Sequence, residues 1–335
     1  MLETPPAPPQ IHPPEVTPAG LHALLSTCAF APLNDLGLLR VTGEDRVRWL
    51  NGMVTNSIQS LTPGQGCYNF FLNAQGRIQG DATAFALEDS ILLETQRDRI
   101  PALTTLLDHF IIMDDVELAP VPTTGLLIAG PQATEALAKL ALEPGPNPLT
   151  QTSYNGAPID LISAHSPLIP RFELWSTPET IAAITAALEL PEATPQDLES
   201  LRLLEGTPLY GTDIRDKELP QETAQTRALH FAKGCYLGQE IVERIRSRGN
   251  VHRTFAGFIL TGDVPAPGTQ LFAADAPEKP VGELTSSVRI DLPTGPVTLA
   301  LGYLRREVLD RGTPLTYPGG AAAPTALPYK IFPSA

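Results

Sequence analysis

The densest chemistry in the sequence lies between Asp197 and Arg253. There, Lys233-Gly234-Cys235-Tyr236-Leu237-Gly238-Gln239-Glu240 sets a cysteine between two glycines, just ahead of a predicted helix from Gln239 to about Arg246. A thiol at a helix N-terminus and near a lysine has its thiolate favoured. Gly234 lets backbone come close to a ligand. The pattern suits a reactive or ligating sulfur, and a small packed residue is the alternative reading. Glu205 closes a predicted helix, Asp197 to Glu205, whose core face carries Leu198, Leu201 and Leu204. It is either a buried carboxylate that needs partners or a frayed end before the C-cap Gly206. Asp81 interrupts an otherwise apolar strand (Ile78, Ala82, Ala84, Phe85), so it pairs locally or faces a cavity, with Tyr68 on the preceding strand as a neighbour.

Arg244, Arg246, Arg248, His252 and Arg253 form a basic run behind the cysteine. Two readings stay open for it. One is a solvated helix face paired to Glu240 and Glu243. The other is a surface for a polyanion, either RNA or the glutamate tail of a folate. No metal is expected: the six histidines lack HExxH spacing, and neither GxxxxGK[ST] nor GxGxxG occurs.

These residues need a scaffold. Hydrophobic periodicity predicts strands at Leu36–Val41, Tyr68–Asn73, Ile78–Leu87, Ile91–Gln96, Leu126–Ala129, Ile159–Ser163 and Phe172–Trp175. Helices are predicted at Glu44–Asn51, Arg97–Phe110, Pro131–Leu142 and Glu179–Leu188. Hairpins mixed with crossover helices indicate an α+β, ferredoxin-like arrangement. From residue 253 to 335, short strands between Pro/Gly turns predict a small all-β terminal domain, after a body spanning 20–252. The first nineteen residues read as a Pro-rich disordered tail, with seven prolines and no Lys or Arg between Leu2 and Pro18. No internal repeat is visible.

The 335 residues carry 23 Lys plus Arg against 37 Asp plus Glu, a net charge of −14. That field repels phosphate, so only a local basic patch could meet nucleic acid. No apolar run approaches the roughly 20 residues of a membrane span. Three scattered cysteines, Cys28, Cys67 and Cys235, fit a reduced, cytoplasmic protein.

The block Lys233 to Glu240 resembles the signature of the YgfZ-type folate-binding proteins, relatives of the aminomethyltransferase (T-protein) of the glycine cleavage system. Arg202 through Asp213 looks like the superfamily's stretch through Arg202, Leu203, Gly206, Tyr210, Gly211 and Asp213. Val41 through Asn56, Tyr68 through Asp81 and Val281 through Leu284 are also similar. The resemblance implies sub-domains in a ring around a central tetrahydrofolate site. Asp81 would lie close to the folate nitrogens that carry a one-carbon unit, and Tyr68 beside the pterin. Lys233 falls roughly where aminomethyltransferases use an arginine. Glu205 stands one residue after the position of the pterin-gripping glutamate, which aligns with Leu204. A turn of about 100° separates the two, so Glu205 reaches a pterin only if the helix has ended. Gly80-Asp81 replaces two successive acids. The implied role is a folate-binding accessory protein for assembly or repair of iron–sulfur clusters in client enzymes, a tRNA-thiolating one among them. Cys235 would be its reactive or cluster-contacting thiol. One cysteine is short of the four ligands of a cluster, so the client would supply the rest. The alternative is an enzyme moving a one-carbon unit to tetrahydrofolate, with Asp81 as acid/base.

Overall fold

A hairpin of alternating apolar residues buries one face, and a helix laid across that face covers it. The chain uses this solution twice. The computed structural model describes residues 18–331 except 250 and 293; the expected Pro-rich tail lies outside them, apart from Pro18 and Ala19, which open the first helix. The elements of the body are α1 (Pro18–Ser26), β1 (Ala29–Pro32), β2 (Leu36–Thr42), α2 (Arg46–Met53), β3 (Gly66–Leu72), β4 (Ile78–Ala86), β5 (Ile91–Gln96), α3 (Ile100–Asp108) and β6 (Glu117–Val121). They continue with β7 (Thr124–Ala129), α4 (Ala133–Lys139), β8 (Leu149–Tyr154), β9 (Ala157–Ser163), β10 (Arg171–Ser176), α5 (Pro178–Ala187), α6 (Pro195–Glu205) and α7 (Gln239–Arg248).

One five-stranded antiparallel sheet has the order β3-β4-β5-β2-β6, and the other β8-β9-β10-β7-β1. Strand for strand the two orders correspond, and the helices do too: α2 follows β2 as α4 follows β7, and α3 follows β5 as α5 follows β10. The fold is therefore duplicated although no sequence repeat is visible. Only the apolar alternation has to recur, not the residues. Edge strand β1 comes from the N-terminal side of the chain, ahead of both sheets.

The outer face of the first sheet (Leu39, Phe71, Ala82, Leu93) packs on α2 and α3 through Trp49, Leu50, Leu103 and Leu107. The second sheet (Leu126, Ile128, Leu161, Leu174) packs likewise on Leu137, Ile181 and Ile184. The two inner faces share one core, in which Leu38, Phe85 and Leu92 meet Leu127, Ile162 and Trp175. The site is built on these inner faces.

Beyond α7 the strands β11 (Arg253–Gly262), β12 (Thr269–Ala273), β13 (Ala276–Leu292), β14 (Gly295–Arg305), β15 (Leu315–Tyr317) and β16 (Gly320–Thr325), with α8 (Arg306–Arg311), form a closed barrel. The all-β terminal domain expected from the sequence is thus a six-stranded barrel. A register shift between Leu284 and Ser286 lets Thr285 and Ser286 both donate to Asp213, which is fully buried in the loop after α6. The same carboxylate accepts from Arg202 Nη1 at 2.5 Å and from the Leu209 N–H at 3.0 Å. This ion-paired knot fastens the barrel to the body.

Candidate functional site

Asp81 projects from β4 on the inner face. The Tyr68 hydroxyl donates to its Oδ2 at 2.6 Å. Burial pushes the Asp81 carboxyl up to about 6, against the lowering pull of the Tyr68 hydrogen bond and the Arg227 charge. Burial and the adjacent carboxyl hold the Tyr68 phenol above its ordinary range. The Arg227 guanidinium lies 4.2 Å from the centre of the Tyr68 ring, a cation–π contact. An acid poised near neutrality, a phenol and a guanidinium can together hold or move a proton at a bound ligand. On one flank Asp81 opens on a cavity of about 130 Å³, whose lining includes Gly80, Thr95, Arg99, Tyr210 and Asp216.

Further along the same face sits a second acidic group. Tyr68, Thr83 and Glu94 are direct cross-strand partners over β3, β4 and β5. At about 4.8 Å per strand, Tyr68 and Glu94 stand roughly 10 Å apart. Glu94 meets Glu173 of β10 from the opposing sheet, and burial beside that second acid raises its pKa well above the ordinary carboxylate range. Burial opposes ionisation of Glu173 too, but the Glu94 carboxyl and Arg171 outweigh it and hold Glu173 low. Arg171 Nε donates to Glu173 Oε1 at 3.0 Å. The pair therefore shares one proton, held on Glu94. Trp175 lies beside both acids, and among the described residues Glu94 Oε1, Glu173 Oε2 and Trp175 Nε1 have no hydrogen-bond partner outside this buried trio. Buried polar atoms left short of partners cost about 1–3 kcal/mol each; a ligand edge offering paired donors would suit the Glu173 carboxylate, and a ligand acceptor would suit the Trp175 Nε1–H.

Glu205 is the last residue of α6. Gly206, with φ +71°, takes the left-handed C-cap that ends the helix there. The Glu205 side chain is buried, accepts from the Ser166 hydroxyl and lies within reach of Arg171. Burial raises its pKa. Of the two readings in the sequence, the buried carboxylate with partners is the one observed.

Lys233 and Cys235 lie elsewhere, on an arch. Lys233 Nζ donates to the carbonyls of Asn51 (2.7 Å), Val54 (2.6 Å) and Asn56 (2.5 Å) at the end of α2. An ammonium has three protons, so none is left for a ligand. Burial draws Lys233 down to about 8. The other foot is Gly238, with φ +81°, where a Cβ would lie 2.6 Å from Asn73 O and 3.2 Å from Gly76 Cα. The Leu237 N–H donates to Gly52 O at 3.0 Å. Between the feet, Cys235 is exposed and a Cβ on Gly234 would meet nothing within 4 Å. The structure thus brings Asp81 and Tyr68 together, sets Glu205 beside the Arg171–Glu173 pair, and holds Lys233 and Cys235 apart from both.

Comparison with known proteins fits this geometry. The model of the GCVT N-terminal domain matches residues 15–147. A solved structure of glycine cleavage system aminomethyltransferase T from Bartonella henselae superposes with a TM-score of 0.81, covering 93% of this chain and 89% of that one at 21% identity. A chloroplastic protein of Arabidopsis thaliana named "Putative transferase" is 26% identical over 294 residues, 85% of this chain and 67% of its own. The tRNA-modifying protein YgfZ of Yersinia pseudotuberculosis is 28% identical over 250 residues, 71% of this chain and 73% of its own. Residues 15–147 match the GCVT N-terminal domain, and the chain is similar to proteins of the YgfZ type.

In this YgfZ-like chain the basic run is not a uniform cationic surface. Arg253 is paired with Glu218 and Glu222, Arg246 lies over the Phe231 ring and near Glu243, and Arg244 is exposed. The solvated-face reading therefore holds for Arg246, whereas Arg253 closes an internal network. Among the described residues no three His, Cys, Asp or Glu side chains form a metal group, and no helix is long and apolar enough to cross a membrane.

Sequence reasoning missed Arg227, Glu94, Arg171 and Glu173. One signal was available for the last two. In Arg171-Phe172-Glu173-Leu174-Trp175, a tryptophan shares the face of the arginine and the glutamate, and a face carrying Trp is seldom bathed in water.

Proposed function

We propose that this chain binds tetrahydrofolate between its two sheets and acts as an accessory protein in assembly or repair of iron–sulfur clusters in client enzymes, including tRNA-modifying ones. The observation that carries the folate part is the buried cluster of Glu94, Glu173 and Trp175 between the sheets, whose outward polar atoms find no partner beyond the cluster. A pterin presents an amide and amino edge whose donors match a carboxylate, and hydrogen bonds to charged groups contribute about 1.5–3 kcal/mol each. Glu173, kept ionised by Arg171, would accept from that edge, with Glu205 held nearby by Ser166. Asp81 and Tyr68 would face the nitrogens, Asp81 holding or releasing a proton there. Bound folate would supply the one-carbon or reducing chemistry.

The accessory role is supported by the similarity to a protein named for tRNA modification and by the exposed Cys235. The arch presents that thiol outward, as contact with a client protein requires. The aminomethyl-transfer reading gains nothing from the site, where Gly80 leaves Asp81 without an adjoining acid.

Calorimetric titration with tetrahydrofolate tests the first part. Glu173→Gln should weaken binding at least about tenfold, or roughly 1.4 kcal/mol; equal affinity would remove the pterin-edge assignment. Deleting the gene in its host and assaying iron–sulfur enzymes tests the second. Cys235→Ser should fail to restore those activities while its folate affinity stays within about twofold of the original. Full restoration by Cys235→Ser would exclude the thiol from the role.

A further inference from the structure

We infer that Asn56 and Lys233 are positioning residues that make the reactivity of the Cys235 thiol depend on whether the site between the sheets is filled. The inference rests on the folate reading above. Asn56 is a hub. Its side-chain amide donates to Tyr68 O at 3.1 Å and to Arg227 O at 2.8 Å. Its N–H donates to Asn69 Oδ1 at 3.1 Å, and its own carbonyl accepts from Lys233 Nζ. Tyr68 and Arg227 carry the two side chains stacked beside Asp81. Lys233 is the near foot of the arch, two residues from Cys235. Thr55 reinforces the hub: its hydroxyl donates to Ala228 O at 2.7 Å and accepts from the Phe70 N–H at 2.9 Å, while its carbonyl accepts from the His230 N–H at 3.1 Å.

Two stretches distant in sequence, 68–70 and 227–233, therefore meet on residues 55 and 56. A ligand that fixes Arg227 against Tyr68 fixes the two carbonyls that hold the Asn56 amide, and through Asn56 O the ammonium of Lys233. Asn51 O and Val54 O hold Lys233 independently of the hub, so Asn56 O adds the third hold on a near foot whose next residue, Gly234, is open to solvent. Filling the site should tighten the near foot and make Cys235 harder to approach. An empty site leaves the arch freer. Coupling between equilibria is reciprocal, so modification of Cys235 that holds the arch open should weaken folate binding.

The experiment is alkylation of Cys235 by iodoacetamide in the full chain, read by mass spectrometry of the Cys235 peptide, with and without saturating tetrahydrofolate. Binding is measured in parallel by calorimetry. In the native protein tetrahydrofolate should slow alkylation at least threefold. Lys233→Met frees the foot, so its Cys235 should react faster and ignore tetrahydrofolate, while affinity stays within about threefold because Lys233 has no proton to give a ligand. Asn56→Ala keeps the backbone carbonyl that Lys233 uses. Its thiol should react at close to the native unliganded rate and still ignore tetrahydrofolate, which a merely structural role for Asn56 would not produce. If tetrahydrofolate binds but leaves the native rate unchanged, or if Asn56→Ala responds as the native protein does, the coupling is wrong and the folate reading stands. If tetrahydrofolate does not bind, both fall together.

Discussion

Asp213→Ala should destabilise the protein by about 3–5 kcal/mol, the cost of leaving a buried ion pair with one partner. Asp213 is fully buried and accepts from Arg202, Thr285, Ser286 and the Leu209 N–H. Removing it strands the Arg202 guanidinium, which keeps only Glu199 and neutral groups for company. For a chain of this size, a loss of that order lowers Tm by roughly 4–7 °C. Urea denaturation checks the free energy. The control is the double variant Arg202→Met with Asp213→Ala, which removes both charges. It should recover part of the loss, because an arginine that has lost one of its two carboxylate partners costs more than an apolar side chain in its place. Asp213→Ala within about 1 kcal/mol of the native protein would mean that the knot between body and barrel contributes little.

Asp81 should behave in the opposite way. Its carboxyl is pushed from 3.8 up to about 6, chiefly by burial. The folded protein thus binds this proton more tightly than the unfolded chain does. The stability contributed by the protonated form is whole below about pH 4 and is lost as pH rises through 6. A shift of that size corresponds to roughly 2–3 kcal/mol. Asp81→Asn should therefore gain stability over the native protein as pH is raised from 4 to 7.5, by up to about that amount, followed by urea denaturation at each pH. Tetrahydrofolate affinity should fall at least about tenfold, or 1.4 kcal/mol, in both Asp81→Asn and Asp81→Ala. A site group that weakens the empty fold and strengthens the complex is expected where binding has been favoured over stability. Unchanged affinity would take Asp81 out of the folate site, and a flat stability difference across pH would mean that its carboxyl is not strained by burial.

Much of the scaffold was readable from the residues. Strands with clean alternation, such as Ile78–Ala86, declared themselves, as did the change to short strands after Arg253. Short strands escaped: Ala29–Pro32 and Leu315–Tyr317 have too few residues to show a period. The duplication escaped because topology leaves no trace in residue identity. In the site, Asp81 stood out because its neighbours are apolar. Glu94 did not, because Thr95 and Gln96 follow it and the segment reads as a strand with one wet face. Periodicity separates the two faces of a sheet but does not say whether the polar face meets water or another sheet. Lys233 drew notice for its neighbours in sequence, yet its three protons go to carbonyls some 180 residues upstream. Only the folded chain supplies that pairing.

The far foot of the arch has a mechanical consequence. At Gly238 and Gly76 the main chain of the arch abuts the tip of the β3–β4 hairpin with no side chain between them, and a Cβ on Gly76 would in turn lie 2.7 Å from that of Ile241. Two rigid backbones touching in this way have almost no slack, whereas interleaved side chains can absorb a shift by changing rotamer. The tip of the β3–β4 hairpin and the far foot of the arch consequently have little room to shift past each other at Gly76 and Gly238, while the near foot at Lys233 stays separate. A lengthened hairpin tip would be felt first at the sulfur, and only afterwards in the acid pocket.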